Sequence, residues 1–212
     1  MEIAIPLFEK LTALDAVGPY DVLTRLPGAT VRLVAAEPGA HRTEDGTLAL
    51  VADSGLDDVP APDVVVVPGG AGEAAVRGEH PLLAWLRAAD RSSTWTTSVC
   101  TGSLILGAAG LLRGRRATSH WTALGELGTF GAVAADERVV VDGKYVTAAG
   151  VSSGIDMALW LAAQLADQRT AEAIQLAIEY DPRPPFDTGS TATAPPELVE
   201  LVRGLSRFPA AT

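Results

Sequence analysis

The sequence predicts an α/β fold: a mostly parallel sheet with helices on both faces and a nucleophile elbow at the end of one strand. Three observations lead there. Continuous β-branched and apolar runs at residues 2–8, 30–36 and 63–67 alternate with helical patterns at 14–26 and 81–89, the rhythm of parallel strands buried on both faces. The single cysteine, Cys100, stands at the seam between a β-rich run, 94–99, and a helix-like run, 101–112. Asp142-Gly143 separates two short strand-like runs, a hairpin signal that makes one side of the sheet mixed.

In chain order, 2–8 is the first strand and the spaced apolar residues of 14–26 form the first helix. Strands follow at 30–36, 48–52 and 63–67, then a helix at 81–89. The strand 94–99 runs into the helix 101–112, whose Gly and Ala residues suit close packing. A helix at 122–127, strands at 138–141 and 145–147, and helices at 152–165 and 170–180 complete the core, with Ser or Thr near each later helix start as N-cap. Residues 181–196 are too proline-rich for a helix and are expected to run over the surface. Residues 197–205 carry an apolar stripe, Leu198, Val199, Leu201, Val202 and Leu205, which needs a partner in this subunit or another.

Composition bounds the function. The 212 residues suffice for one substantial core, and no linker-like shift precedes residue 181, so 1–212 is read as a single domain. With 16 Lys+Arg against 26 Asp+Glu and no dense basic run, nucleic acid is a poor candidate partner. One cysteine forbids an internal disulfide, and the first residues lack a secretory signal, so the cytoplasm is expected. The apolar stretch 151–166 is broken by Asp156, which argues against a membrane span.

Unpaired cysteines commonly act as small buried hydrophobes; the strand-to-helix turn sets Cys100 apart. In a nucleophile elbow the side chain stands above the sheet edge, and Gly102 removes a side chain where helix and strand crowd. The following helix aims N–H groups at the sulfur, so Cys100 is expected to be more acidic than a free thiol.

Ligands bind outside the carboxyl ends of the strands in open α/β sheets, so loops there supply the partners. In Pro68-Gly69-Gly70, a flexible turn by itself, the Gly70 N–H with that of Thr101 can form an oxyanion hole. After the first strand comes Asp15, either a helix N-terminal charge or, against a thiolate, a proton carrier with a raised pKa. The run Ala117-Thr-Ser-His120-Trp121 adds one histidine with a pocket context, as base or as hydrogen-bonded wall; His41 and His80 lie in loop-like settings. No cluster has metal-ligand spacing.

These motifs resemble the ThiJ/PfpI superfamily, whose flavodoxin-like fold is similar to that of class I glutamine amidotransferases. The carriers are Leu14-Asp15 with Gly18-Pro19, Pro68-Gly69-Gly70, Val99-Cys100-Thr101-Gly102 and Ala117-Thr-Ser-His120-Trp121. Gly150-Val-Ser-Ser-Gly-Ile-Asp-Met-Ala-Leu-Trp-Leu161 and Glu179-Tyr-Asp-Pro-Arg-Pro-Pro-Phe-Asp-Thr-Gly-Ser190 look like its isonitrile hydratase branch, also called cyclohexyl-isocyanide hydratase. The resemblance implies Asp15 as acid/base, Cys100 as nucleophile, Thr101 as a substrate-bonding neighbour, a homodimer, and no cofactor. Peptidases and several glyoxalase-like members resemble one another in placing histidine after the cysteine; threonine here disfavours peptidase activity.

The expected activity is therefore hydration of an isonitrile to an N-substituted formamide, with Gly70, Thr101, His120 and Trp121 at the substrate. The alternatives are a glyoxalase-like conversion of an α-oxoaldehyde by the same thiol and carboxyl, or a non-catalytic sensor whose cysteine is reversibly oxidised. A transcriptional regulator is disfavoured, since no DNA-binding helical domain follows residue 212.

Overall fold

A central strand of four consecutive buried valines places this sheet between two helical layers. The structure, a computed structural model, describes residues 1–208. Its elements are β1 (Glu2–Pro6), α1 (Ala13–Leu23), β2 (Thr30–Ala35), β3 (Gly39–Arg42), β4 (Ala49–Ala52), β5 (Ser54–Gly55), β6 (Val64–Val67), α2 (Glu73–Val76), α3 (Pro81–Ala89), β7 (Trp95–Val99) and α4 (Gly102–Ala108). After them come β8 (Arg116–Ala117), a 3₁₀ helix over Trp121–Phe130, β9 (Val133–Ala134), β10 (Val139–Asp142), β11 (Tyr145–Ala148), α5 (Ser153–Leu165), α6 (Gln168–Ala177) and α7 (Pro196–Leu205).

Seven strands form the main sheet in the order β10-β11-β7-β6-β1-β2-β5. Every neighbouring pair is parallel except β10 with β11, so the mixed edge lies where Asp142-Gly143 turns the chain. The four valines of β6 are all buried between β1 and β7, as a parallel strand covered on both faces requires. Helices α1, α5 and α6 pack together, and α4 contacts α2 and α3 in a second group. Leu104, Ile105 and Leu106 of α4 are fully buried, each worth about 2 kcal/mol of apolar burial.

Several boundaries differ from expectation. The 48–52 run pairs outside the main sheet, as β4 of a hairpin with β3, whose Gly39-Ala-His-Arg carries no apolar alternation. That places His41 in a strand rather than a loop. The helix expected over 101–112 ends at Ala108, and Gly110 at φ 82 turns the chain away. Residues 122–127 belong to the 3₁₀ helix, which His120 caps. The helix expected from 170 begins at Gln168, where Asp167 rather than a Ser or Thr accepts the Thr170 N–H at 2.7 Å. Residues 181–193 are exposed, and no residue of α7 is buried. Among the described residues no helix is long and apolar enough to cross a membrane.

Candidate active site

β7 ends at Val99, and Cys100 adopts φ 56, a left-handed conformation costing a non-glycine residue about 1–2 kcal/mol. The surroundings hold it there. Its N–H is shared between the carbonyls of Ala148 (3.0 Å) and Ala149 (2.9 Å), while its own carbonyl accepts from the hydroxyls of Ser103 (3.2 Å) and Ser119 (3.1 Å). Gly102 is dictated by contact: a β-carbon there would lie 2.1 Å from the Val67 carbonyl oxygen. The helix thus starts with its backbone pressed on the neighbouring strand, the crowding expected of an elbow.

The expected acidity of the thiol is not what this setting produces. Cys100 is only 6% exposed, and burial, reinforced by the charge of Asp15, pushes its pKa up despite N–H groups of Thr101 and Val151 directed at it. Helix α4 has seven residues, and so short a dipole does not offset desolvation of a thiolate.

Asp15 is the complementary half. It lies in the first turn of α1, fully buried. Oδ2 accepts the Gly69 N–H at 2.9 Å; Oδ1 has no hydrogen-bond partner among the described residues, and the carboxyl and the Cys100 thiol lie near enough that each influences the titration of the other. Burial raises the Asp15 pKa to about 7, against lowering by Gly69 and Cys100, with a further upward push from Glu44. At neutral pH the resting pair is a protonated thiol beside a carboxyl near its midpoint. A carboxylate so placed can take the thiol proton as the sulfur attacks and return it to the product of that attack.

The Pro68–Gly70 loop holds both partners. Gly69 donates to Asp15, and Gly70 donates to Thr101 Oγ1 at 3.0 Å. The Gly70 N–H expected in an oxyanion hole is therefore committed to Thr101, because that hydroxyl folds back over the loop. The N–H groups aimed at the sulfur are instead those of Thr101 and Val151. Gly70 has φ 132, and a β-carbon on it would come within 2.5 Å of the Lys10 carbonyl oxygen and the Thr12 nitrogen.

A cavity of about 530 Å³ opens beside the sulfur, and Cys100, Thr101, Gly70 and His120 all line it. Leu11, Leu48, Val151 and Phe208 supply apolar wall; Glu44 and Arg207 are charged members of the lining. His120 is a wall. Its Nδ1 is 2.8 Å from Thr122 Oγ1 and accepts the Thr122 N–H at 3.3 Å; burial and the nearby Arg207 hold its pKa down, so the ring is neutral. It makes no hydrogen bond to Cys100 among those of the described residues. Trp121, expected at the substrate, lies elsewhere. Its ring lines a separate groove of about 210 Å³ with Thr188, Leu198 and Val202, beneath the Arg203 guanidinium at 5.3 Å, because the 3₁₀ helix begins there and turns it away.

Sequence reasoning missed Glu44, Val151, Arg207 and Phe208. Val151 lies inside the Gly150–Leu161 motif, where nothing distinguished its N–H. Glu44 and Arg207 come from a hairpin and a post-helical turn without motif character. Among the described residues no three His, Cys, Asp or Glu side chains gather as metal ligands.

A parallel-sheet protein with a strained cysteine at a strand's carboxyl end and a buried carboxyl beside it belongs to the class of cysteine-elbow α/β proteins. Within that class, the model of the DJ-1/PfpI family matches residues 1–164, and the chain belongs to that family. It is 44% identical over 203 residues, 96% of this chain and 89% of the relative, to an isonitrile hydratase of Pseudomonas putida. The crystal structure of a ThiJ/PfpI family protein from Pseudomonas syringae superposes with TM-score 0.93 at 39% identity, covering 96% of this chain and 85% of that one. Oxidized DJ-1 of Toxoplasma gondii gives TM-score 0.75 at 25% identity over 85% of this chain and 99% of its own.

Proposed function

We propose that this protein hydrates organic isonitriles to N-substituted formamides. The observation that carries the proposal is the buried Asp15 carboxyl acting on the only thiol, in a chain so similar over its length to an isonitrile hydratase. Isonitrile carbon must gain both a nucleophile and a proton. Asp15 carboxylate takes the Cys100 proton as sulfur bonds to that carbon, then delivers it there, giving the thioimidate R–N=CH–S–Cys100. Asp15, again a carboxylate, takes a proton from water as its oxygen adds to the same carbon, and passes that proton to nitrogen. Collapse of R–NH–CH(OH)–S breaks the C–S bond, the hydroxyl proton returns to sulfur by way of Asp15, and formamide leaves. No electrons are exchanged with any cofactor in this sequence.

In this scheme the Thr101 hydroxyl, whose proton has only a 3.5 Å contact with the Gly70 carbonyl, donates to the substrate, and His120 forms part of the wall. Trp121 is not given a substrate role. A homodimer fits the exposed Leu14, Val17 and Tyr20 of α1 and the apolar face of α7, and a reducing cytoplasm suits a mechanism that needs its one cysteine free.

The test is formamide production from cyclohexyl isocyanide. Turnover is expected, with a rate rising through a midpoint near pH 7 as Asp15 loses its proton, under the added influence of Glu44 on Asp15, and of Glu44 and Arg207 on His120. Consumption of methylglyoxal without isonitrile turnover would overturn the proposal.

A further inference from the structure

The Pro68–Gly70 loop, which holds both Asp15 and Thr101, is fastened on its outer side by a residue from the far end of the chain. Arg207 Nη2 donates to the Gly70 carbonyl at 2.9 Å and lies 3.2 Å from Glu73 Oε1. Glu73 has a fully buried side chain and also meets Arg77 Nε at 2.5 Å. A carboxylate buried this deeply is stable only when paired, and here it anchors two guanidiniums, one of them reaching the catalytic loop. The neighbouring Phe208 is nearly buried in the core, and Ser206, Arg207 and Phe208 together wall the cavity at Cys100. The connections run from Glu73 to Arg207, to Gly70, and through the Gly70 N–H to the Thr101 hydroxyl.

We propose that Arg207 is a positioning residue, holding Gly70, and through it Thr101 and the cavity wall beside Cys100, by its bond to the Gly70 carbonyl and its pairing with Glu73. Peptide orientation makes this effective. The N–H and carbonyl of Gly70 flank one residue, and a glycine at φ 132 is free to leave that conformation unless contacts hold it. Without Arg207 the carbonyl keeps the Glu73 N–H at 3.1 Å and the Thr101 hydroxyl contact at 3.5 Å, so the loop is held less firmly, which loosens the donor to Thr101 and widens the cavity beside the thiol. The catalytic part of this inference rests on the isonitrile reading; the structural part does not.

Arg207→Met, in the full chain, is expected to lower kcat on cyclohexyl isocyanide about tenfold with at most about a twofold change in KM. It is also expected to speed alkylation of Cys100 by iodoacetamide severalfold at neutral pH and to move the pH midpoint of alkylation down, as water reaches a thiol now held up by burial. Arg207→Lys should recover part of both, since a cation still reaches Glu73. Glu73→Gln should reproduce the Arg207→Met changes. Because Cys100 is the only cysteine, alkylation reads this site alone. If the wild type does not turn over the isonitrile, the functional proposal fails and alkylation alone decides the role of Arg207. Wild-type alkylation rate and pH midpoint in Arg207→Met, or wild-type kcat where turnover exists, would overturn the assignment.

Discussion

Two turns beside neighbouring strands share a left-handed φ and are filled in opposite ways. At the β10–β11 hairpin, Gly143 has φ 62; at the end of β7, Cys100 has φ 56. The hairpin position is occupied by the residue for which that conformation is nearly free, and a β-carbon there would meet only Arg115 Nη1 at 3.7 Å. The elbow position is occupied by a residue that is strained there, and four hydrogen bonds to its peptide groups keep it in place. The first turn serves to reverse the chain. The second retains strain that a glycine would remove, and what a glycine would lack is the sulfur.

The largest expected effect comes from removing that sulfur. Cys100→Ala should lower isonitrile turnover by about a thousandfold or more, since the chain has no second thiol, while the melting temperature stays within a few degrees. Wild-type turnover in that variant would break the comparison, leaving the elbow as strain without chemistry.

Next in size is Gly102→Ala. With a β-carbon 2.1 Å from the Val67 oxygen, either α4 or β6 must move, and a loss of about 3 kcal/mol or more is expected by denaturant unfolding. An equally stable variant would show that the elbow is not pressed on its neighbour as described.

Much of this contrast is legible in the residues alone. Asp142-Gly143 announces a reversal through turn chemistry, and the change from Thr94–Val99 to small and apolar residues after Cys100 announces an elbow. The valine run of β6 announces a buried parallel strand. What local pattern does not carry is the sum of long-range terms. A helix start is visible in sequence and suggests an acidic Cys100, whereas the desolvation that outweighs it comes from distant segments packed around the thiol. Pro68-Gly69-Gly70 allows either a plain turn or an oxyanion-hole N–H, and the commitment of that N–H to Thr101 is a contact across 31 residues that local sequence does not show. The motif over 117–121 suggests a pocket for His120 and Trp121 together, yet the start of a 3₁₀ helix sends these adjacent side chains to different cavities.

Asp15 gives the third effect, and it sharpens what the elbow asks of its surroundings. Its folded pKa of about 7 lies above the ordinary value of 3.8. A raised carboxyl contributes stability that is fully present below about pH 4 and lost as pH rises through 7. Asp15→Asn keeps an oxygen for the Gly69 N–H and removes the buried charge. It should therefore melt higher than wild type at pH 8, on the order of 5–10 °C given a few kcal/mol, and within a few degrees of wild type near pH 4. Turnover should fall at both values. A variant less stable at pH 8 would mean that the carboxylate is stabilised in its site rather than held there at a cost.

The smallest effect tests the two turns against each other. Gly143→Ala adds a β-carbon in nearly open space, so its cost is conformational, about 1 kcal/mol. Substituting Cys100 by Gly instead of Ala runs the same exchange in reverse at the elbow. Relief of the left-handed strain favours glycine there by about 1 kcal/mol, and loss of a buried β-carbon takes back part of it. Cys100→Gly should thus be as stable as Cys100→Ala or up to about 1 kcal/mol more stable, although both are inactive. Chemical denaturation of the three variants measures this directly. If Cys100→Gly proves less stable than Cys100→Ala by the amount that Gly143→Ala loses, the elbow backbone is relaxed around its cysteine, and strain at φ 56 is no part of what selects that residue.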